Sequence, residues 1–536
     1  MRGFGLPLDQ DPSPGATRRP LPLGEVKKEH EMNSLQGLLY GLQIAATPAN
    51  LLAAFVGAFA GTAIGVLPGL GPVAGVALIL PLTFSLDPPA GLIMMAGIFY
   101  GSMYGGSTTA ILLNIPGESA SVVTAIDGYQ LAKKGRAGAT LTIVAVGSFV
   151  GGTLAVVGVM MFSSLLANVA ILFGPAEFFA LTAGGLVVMS RISGGTLASA
   201  LLPMTLGLML GTVGQEAVTG ETRFTFDIPD LAEGVSLVPV VVGLYGFAEL
   251  MLLVEDKAHA ANRPESVKMR DLLPTQTEWK RAVPSWLRGT FLGFLFGLVP
   301  GPAATLASFA SYRLEKATSR YADEIGSGAI EGVAGPEAAN NSAATASLVP
   351  LLALGIPFTP IAALMISAML VQGIQPGPLL ITQHPEIFWG LIASAYIGNV
   401  MLLALNIPMV GVWVSLLRIP HYLFIPLLLV LSVIGTYSVR NSIFDVWVLL
   451  AAGIIGYAFN KMKFQLAPLV VGLILGPNIE KHFREALFLS QGDFWIYVES
   501  PIAITVWLLV AAILIAGFIA RRRTAFADAM AQESSL

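Results

Sequence analysis

The sequence Gly65-Val66-Leu67-Pro68-Gly69 occurs a second time, in similar form, as Gly297-Leu298-Val299-Pro300-Gly301. Three further matches follow in the same order in both halves: Asn114-Ile115-Pro116 with Gly355-Ile356-Pro357, residues 147–152 with residues 393–398, and residues 239–244 with residues 468–473. Four matches in one order indicate a duplicated unit rather than scattered low complexity. In a membrane protein, glycine and proline breaks at corresponding places predict a transporter whose site lies between two repeats.

Composition supports a membrane protein. The chain has 536 residues, of which 55% are hydrophobic and 12% are charged, whereas an ordinary soluble domain is about 25% charged. A membrane helix needs about 20 apolar residues, and the apolar runs supply roughly eleven to fourteen segments, some of them too short or too broken to span alone. We therefore predict an all-α polytopic membrane protein with two inverted repeats, broken or re-entrant helices and one extra C-terminal helix. The absence of cysteine excludes disulfides, and no basic domain exists to bind nucleic acid.

The polar stretches set the expected domain boundaries. We expect a disordered polar tail at 1–32, a first membrane repeat at 33–254, a cytoplasmic connector at 255–285, a second repeat at 286–480, a periplasmic loop and final transmembrane helix at 481–523, and a cytoplasmic tail at 524–536. No signal peptide is apparent, because the first 31 residues lack an apolar core. Two interpretations of this tail stay open: an ordinary flexible extension, or a start at Met32.

Basic residues predict opposite orientations for the two repeats, because lysine and arginine accumulate on the cytoplasmic side. Lys133, Lys134 and Arg136 mark a first-half loop as cytoplasmic, and the matching stretch at 377–382 has no basic residue. Conversely, a second-half loop contains Arg313, Lys316 and Arg320, and its counterpart at 84–90 contains none. The C-terminus is expected in the cytoplasm because of Arg521, Arg522 and Arg523, whereas Arg440 and the basic N-terminal tail do not fit this scheme.

The Pro-Gly segments are candidate substrate-binding elements. Pro68 and Pro72 remove backbone donors and the glycines favour open backbone, so residues 61–72 cannot form one unbroken helix. Non-helical backbone at membrane depth persists only where it is buried in protein or lines a cavity. Helix N-termini there suit a carboxylate, and free carbonyl groups suit sodium. We therefore assign Gly69, Gly71 and Gly301 to the substrate site; the alternative is close helix packing through small residues.

A second pair of breaks is polar. In the first half the candidates for substrate binding are Ser107, Thr108 and Asn114; in the second half they are Asn340, Asn341, Ser342 and Thr359. Hydroxyl and amide groups can donate to a carboxylate and can also accept around a cation. Glu337, together with Asn340, is the candidate for ion coupling, because acids inside a membrane are costly and usually functional. The alternative for Glu337 is a carboxylate in the cytoplasmic mouth.

These residues resemble a known family. Residues 65–72, residues 104–116 with Asp127-Gly128-Tyr129, residues 328–341 and residues 375–378 are similar to the large membrane subunit of tripartite tricarboxylate transporters. The resemblance covers residues 33–523. It implies secondary uptake of a di- or tricarboxylate across a bacterial inner membrane with sodium or protons, and no organic cofactor. It also implies two partners, a small membrane subunit and a periplasmic solute-binding protein. Phe358 departs from the family, which tends to have glycine after this proline.

The sequence supports three other functions to different degrees. An embedded hydrolase lacks support because none of the five histidines lies in a broken segment and no His-Glu-x-x-His pattern occurs. A passive anion channel should show rings of like charge or a repeated carbonyl filter, whereas these breaks are not identical. A stand-alone carboxylate transporter stays open as a further alternative.

Overall fold

The computed structural model describes residues 33–67, 70–192, 197–216, 220–255, 269–416 and 421–515. The predicted tail at 1–32, Pro68, Gly69, connector residues 256–268 and everything from residue 516 onward lie outside the described residues, including the end of the predicted final helix and the tail at 524–536.

The described part of the first half contains ten α-helices and a small hairpin. The helices are α1 Ser34–Ala45, α2 Pro48–Val66, α3 Pro72–Thr83, α4 Pro88–Leu113, α5 Val122–Leu131, α6 Ala137–Ala170, α7 Pro175–Ile192, α8 Leu197–Gly211, α9 Leu237–Val241 and α10 Ala248–Glu255. The antiparallel strands β1 Gly214–Gln215 and β2 Thr222–Arg223 lie between α8 and α9. A π-helical turn at Val242–Phe247 joins α9 to α10.

The described part of the second half contains twelve helices. They are α11 Gln276–Gly297, α12 Ala303–Thr318, α13 Glu331–Ala346, α14 Leu348–Leu354, α15 Pro360–Val371, α16 Leu380–Gln383, α17 Pro385–Asn406, α18 Val410–Leu416, α19 His421–Arg440, α20 Ile443–Lys461, α21 Ala467–Leu489 and α22 Pro501–Ile515. A capping box between Thr275 and Glu278 starts α11 at Gln276, so this helix begins within the stretch assigned from sequence to the connector.

Five helical segments in the described residues are long and apolar enough to cross a membrane. They are Pro48–Val66, Ser119–Ala170, Leu237–Glu255, Pro385–Asn406 and Ile443–Lys461. Shorter apolar helices include Pro72–Thr83, Pro360–Val371 and Pro501–Ile515. The chain is thus an all-α membrane protein, and its apolar sequence is cut into short pieces as the glycine and proline pattern predicts.

Matched helices in the two halves pack through matched stripes of glycine. A Cβ atom on Gly57, Gly61 or Gly65 of α2 would lie 2.2–2.4 Å from the carbonyl oxygens of Met94, Ile98 and Ser102 of α4. In the second half, a Cβ atom on Gly289, Gly293 or Gly297 of α11 would be similarly close to the carbonyl oxygens of Gly335, Ala339 and Ala343 of α13. In both pairs, glycines further along one helix contact residues further along the other, so the two helices run parallel. Close backbone approach is what a glycine at every fourth position allows.

The two most deeply buried long helices are α4 and α13. Almost all of α4 from Ala90 to Ile111 is buried, and every residue of α13 is buried. Helix α13 is also the less apolar of the two, because Glu337, Asn340, Asn341 and Ser342 lie within it. A helix of this composition can stand at the centre of a membrane protein only if its polar groups find partners there.

Candidate functional site

The repeated Asn/Gly-Ile-Pro motif is a helix stop. Asn114 ends α4 with φ 59° and Gly355 ends α14 with φ 68°, both in the left-handed region. Asparagine and glycine tolerate this conformation best, and the following Ile-Pro cannot continue a helix. Asn114 is exposed, and the structure gives it a backbone role at the end of α4.

After the stop at Asn114, the chain turns back into the protein. The N–H of Gly117 donates to Gly106 O at 3.4 Å. A Cβ on Gly117 would lie 2.4 Å from Gly65 O and 2.5 Å from Gly106 Cα. Both breaks of the first half therefore meet at Gly117. In the second half, the N–H of Gly301, at φ 131°, donates to Phe358 O at 3.0 Å, so the two breaks meet there as well.

Glu337 is the centre of a buried polar cluster formed by both halves. Its carboxylate is fully buried, and the Thr124 hydroxyl of α5 donates to Oε1. Ser107 and Tyr104 of α4 lie close to this carboxylate. Within the described ranges, nothing hydrogen-bonds Glu337 Oε2 or the Tyr104 hydroxyl. An acceptor oxygen in this position is open to a cation or a proton.

Asn340 and Asn341 extend the cluster along α13. Asn340 Nδ2 donates to Glu118 Oε1 at 3.0 Å, and Asn341 Nδ2 donates to Ser148 Oγ at 2.8 Å. Asn340 Oδ1 is buried and has no hydrogen-bond partner among the residues described. Glu118 and Glu337 are close enough to repel each other when both are ionised. The cluster, which we call the central polar cluster, therefore comprises Glu118, Thr124, Ser148, Glu337, Asn340 and Asn341, with Tyr104 and Ser107 beside it.

The remaining candidates occupy different positions. Ser342 Oγ donates to Thr290 O at 2.7 Å, which joins α13 to α11. Thr359 is the N-cap of α15, where its hydroxyl accepts from the N–H of Ala362 at 3.2 Å. Thr108 is buried in α4, and Gly71 precedes α3 with open space where a Cβ would lie. Gly69 lies outside the described residues.

The two halves also meet at the edge of the central polar cluster. The hydroxyl oxygens of Ser119 and Thr305 are 2.7 Å apart. Ser119 follows the second break of the first half, and Thr305 lies in the first turn of α12, just after the Pro-Gly break of the second half. The re-entrant segment at 114–121 thus reaches the start of α12.

A separate cavity of about 620 Å³ lies between the α8–α9 loop and α21. Arg223 of β2 lines it and donates to Glu480 at 2.8 and 3.1 Å. These bonds raise the pKa of the Arg223 guanidinium above its ordinary value. Because Glu480 already pairs with this cation, the charge of Arg223 is compensated within the chain.

Comparison with known proteins decides the family. The tripartite tricarboxylate transporter TctA family matches residues 51–471. This chain belongs to the TctA family. Every member of the central polar cluster lies inside the TctA match.

Two relatives come from Agrobacterium vitis. The "Uncharacterized 52.8 kDa protein in TAR-I ttuC' 3'region" is 46% identical over 473 residues, which are 88% of this chain and 94% of the relative. The "Uncharacterized protein in TAR-II ttuC' 3'region" is 49% identical over 211 residues, or 39% of this chain and 87% of the relative. No solved structure matches this TctA chain.

Sequence reasoning missed several members of the site. Glu118 could have been identified as a candidate from the sequence, because it is an acid two residues after a predicted break. Thr124 and Ser148 gave none, because serine and threonine in a membrane helix usually bond their own backbone. Asp127 was noted only within a motif of the TctA resemblance, yet it is fully buried.

Proposed function

We propose that this chain is the large membrane subunit of a binding-protein-dependent system that takes up a small di- or tricarboxylate with sodium or protons across a bacterial inner membrane. Membership of the TctA family supports the transporter class and favours it over an embedded hydrolase. A small membrane subunit and a periplasmic solute-binding protein are the proposed partners. A passive anion channel and a stand-alone carboxylate transporter are the alternatives.

One observation carries the proposal: side chains of opposite halves bond each other around buried acceptors that have no partner in the described residues. Thr124 to Glu337, Glu118 to Asn340 and Ser148 to Asn341 all cross between the halves. The cluster contains two acids and no lysine or arginine. A carboxylate substrate entering it needs positive charge. Co-transported cations at Glu337 and Asn340 would provide that charge, and hydroxyl and amide groups would orient the substrate.

Inverted repeats are part of this proposal, and helix directions support them. The matched segments 239–244 and 468–473 pair α9 with α21, so the preceding helices α8 and α20 are counterparts. Gly207 and Gly211 of α8 contact Leu469 and Leu473 of α21, which makes α8 parallel to α21. Gln465, just after α20, donates to Ser199 O near the start of α8, and Arg440, just before α20, pairs with Glu233 beyond the end of α8. Helices α8 and α20 therefore run in opposite directions.

Contacts between loops also support the proposed topology. Lys134 donates to Ser327 O at 2.7 Å and Lys461 lies 2.5 Å from Glu255, and each contact joins loops assigned to the cytoplasmic side. At the other side, Ser442 bonds Asp230 at 2.7 Å. Arg440, which did not fit the charge pattern, donates to the buried carboxylate of Asp445 at 2.7 and 3.0 Å. A paired arginine of this kind is a weak topology signal.

The proposed function is tested by uptake into proteoliposomes that contain the small subunit and the binding protein. Sodium- and pH-dependent uptake is compared among wild type, Glu337→Gln, Asn340→Ala and Asn341→Ala. Asn406→Ala is a matched control, because Asn406 is also buried but, among the described residues, its side chain bonds only Leu402 O within α17. We expect large losses in the three variants and near wild-type uptake in the control. Unchanged uptake and ion dependence in all three would remove these residues from the site.

A further inference from the structure

Asp127 of α5 is a buried carboxylate whose hydrogen-bond partners belong to the other half of the chain. It is fully buried. Its Oδ1 accepts from the N–H groups of Gly326, Gly328 and Ala329 at 2.7–2.9 Å. Its Oδ2 accepts from the Tyr312 hydroxyl at 2.9 Å. We call this set of contacts the Asp127 clasp.

The loop that receives Asp127 is shaped for an anion. Gly326 and Gly328 have φ of 104° and 102°, which few other residues adopt. Successive N–H groups in such a turn form a concave anion-binding nest. Lys134 of the first half donates to Ser327 O in the same loop at 2.7 Å. A Cβ on Gly332 would lie 2.2 Å from Asp127 Oδ2, so α13 approaches the carboxylate through a glycine.

The partners of Asp127 are uncharged, and this distinguishes it from the acids around it. Glu331 pairs with Arg281 at 2.7 Å, and the buried Glu315 pairs with Arg288 at 2.6 Å. Asp127 is held by backbone N–H groups and one hydroxyl. A nest of this kind recognises a carboxylate group as such, so a small free carboxylate can take the place of the side chain.

Helix α5 connects the clasp to the central polar cluster. Thr124 precedes Asp127 by three residues, so both side chains lie on one face of α5. Thr124 bonds Glu337 and Asp127 bonds the loop before α13, so α5 is attached to the α12–α13 segment at two points one turn apart. Movement of Asp127 out of its nest would therefore also withdraw Thr124 from Glu337.

We propose that Asp127 is a positioning residue for Glu337, and that the clasp closes the central polar cluster toward the face that carries Lys134. This inference rests on the proposed function for the role of Glu337. With the clasp formed, Thr124 is held against the Glu337 carboxylate and α5 covers the cluster. With the clasp released, α5 separates from α13, and Glu337 and Asn340 become open to that face.

The absence of cysteine from the sequence gives a direct test. Ala120→Cys places a single thiol at a buried position beside Glu118. The rate at which a membrane-impermeant maleimide modifies this thiol is measured in vesicles that expose one face of the protein and in vesicles that expose the other. Combining it with Asp127→Ala should increase labelling about tenfold or more from the Lys134 face, which corresponds to about 1.4 kcal/mol of lost closure. Sodium formate should return labelling toward the original rate, while sodium chloride should not.

Two variants keep the test decisive. Tyr312→Phe removes one bond of the clasp and should give a smaller increase if Asp127→Ala does not fold. Asp445→Ala is the control, because Asp445 is equally buried but pairs with Arg440 elsewhere in the fold. We expect no increase in labelling for this control. Folded Asp127→Ala protein that labels at the original rate, or faster labelling that formate leaves unchanged, would overturn the clasp.

Uptake measurements separate this inference from the proposed function. Asp127→Ala should lower the turnover rate and alter the ion dependence of uptake, and formate should partly restore both. Asp127→Asn retains one acceptor oxygen and should be affected less. If wild-type protein takes up no carboxylate, the proposed function fails, and the labelling result still decides whether the clasp exists.

Discussion

At the scale of single residues, the central polar cluster contains polar atoms that have hydrogen-bond partners and polar atoms that have none among the described residues. The amide nitrogens of Asn340 and Asn341 both donate across the interface between the halves. Asn340 Oδ1 and Glu337 Oε2 are buried and accept no hydrogen bond from the described residues. They lie three residues apart on α13 and therefore share a face of that helix. Two open acceptors on one face are what a transported cation or proton requires.

Glu118→Gln should weaken binding of the coupling ion without abolishing it. When Glu118 is ionised, the change replaces a hydrogen bond to a charged group, worth about 1.5–3 kcal/mol, with one to a neutral oxygen, worth about 0.5–1.5 kcal/mol. We expect roughly a tenfold rise in the coupling-ion concentration that gives half-maximal uptake. Glu386→Gln, which changes an acid paired with His384 outside the cluster, serves as the control. Identical ion dependence in both variants would place Glu118 outside the coupling site.

Thr359 should behave as a helix cap. Thr359→Ala removes the hydroxyl that accepts from Ala362 N–H, and loss of such a cap costs about 0.5–2 kcal/mol. We expect a lower thermal unfolding temperature for Thr359→Ala and little change for Thr359→Ser, which keeps the hydroxyl. The apparent KM for the substrate should stay the same in both. A higher KM at unchanged stability would instead support the direct substrate contact predicted from the sequence.

At the scale of helices, glycine has two separate roles in this chain. Gly57, Gly61 and Gly65 allow α2 to reach the backbone of α4, and Gly65 also borders Gly117 at the breaks. Some glycines therefore allow close helix packing, while glycines next to them form part of a break, so both interpretations of the glycines apply. Close packing of the parallel helices fixes the depth at which each break occurs.

Gly61→Ala should destabilise the fold through overpacking. Its Cβ would lie 2.4 Å from Ile98 O, and such insertions into a packed core cost about 1–3 kcal/mol. Gly398→Ala in α17 is the matched control, because nothing lies within 4 Å of the added Cβ. Alanine should leave that helix unchanged or stabilise it by up to about 1 kcal/mol. Thermal unfolding in detergent measures both, and equal melting temperatures would contradict the packing role.

At the scale of the whole molecule, equivalent elements of the two halves contribute different residues to the central polar cluster. The polar residues of α4 lie in its C-terminal half, and Glu337, Asn340, Asn341 and Ser342 lie in the N-terminal half of the stretch formed by α13 and α14. Antiparallel arrangement of these two helices, as the proposed inverted repeats require, places both sets at one depth. In the proposed function, the duplication supplies the framework, and divergence between the halves supplies an asymmetric site.

A disulfide at the contact between Ser119 and Thr305 should arrest transport. The Ser119 and Thr305 hydroxyl oxygens are 2.7 Å apart, so Ser119→Cys with Thr305→Cys should cross-link on oxidation. If the segments that carry these two residues move relative to each other during transport, uptake should fall more than tenfold on oxidation and return on reduction. The control pair is Asp230→Cys with Ser442→Cys, which joins residues 2.7 Å apart away from the cluster. Full uptake by the cross-linked Ser119–Thr305 protein would exclude movement at this contact.

The sequence by itself determined the class of the protein and part of its pattern of breaks; the polar break expected around Asn340 and Asn341 is wrong, because these residues lie within α13. Apolar composition, the ordered repeats and the glycine and proline positions predicted a helical membrane protein interrupted at Pro68–Pro72, Asn114–Pro116, Pro300–Pro302 and Gly355–Pro357. The helices end or begin at these points. Such features are local, because proline lacks a donor and glycine accepts left-handed backbone whatever surrounds it. The family resemblance was also available from sequence, since its motifs are contiguous.

Only the tertiary structure decided which polar residues meet. Glu337 could be placed in the membrane from sequence, but its contact with Thr124 spans 213 positions in the chain and that of Asn340 with Glu118 spans 222. The clasp joins Asp127 to backbone N–H groups, which every residue except proline carries and which therefore leave no signature. Side chains in a membrane helix can point to lipid, to a neighbour or to a cavity, and helix packing alone selects among these. The helical membrane class and the helix breaks were therefore predictable from local chemistry, whereas the central polar cluster depended on long-range packing.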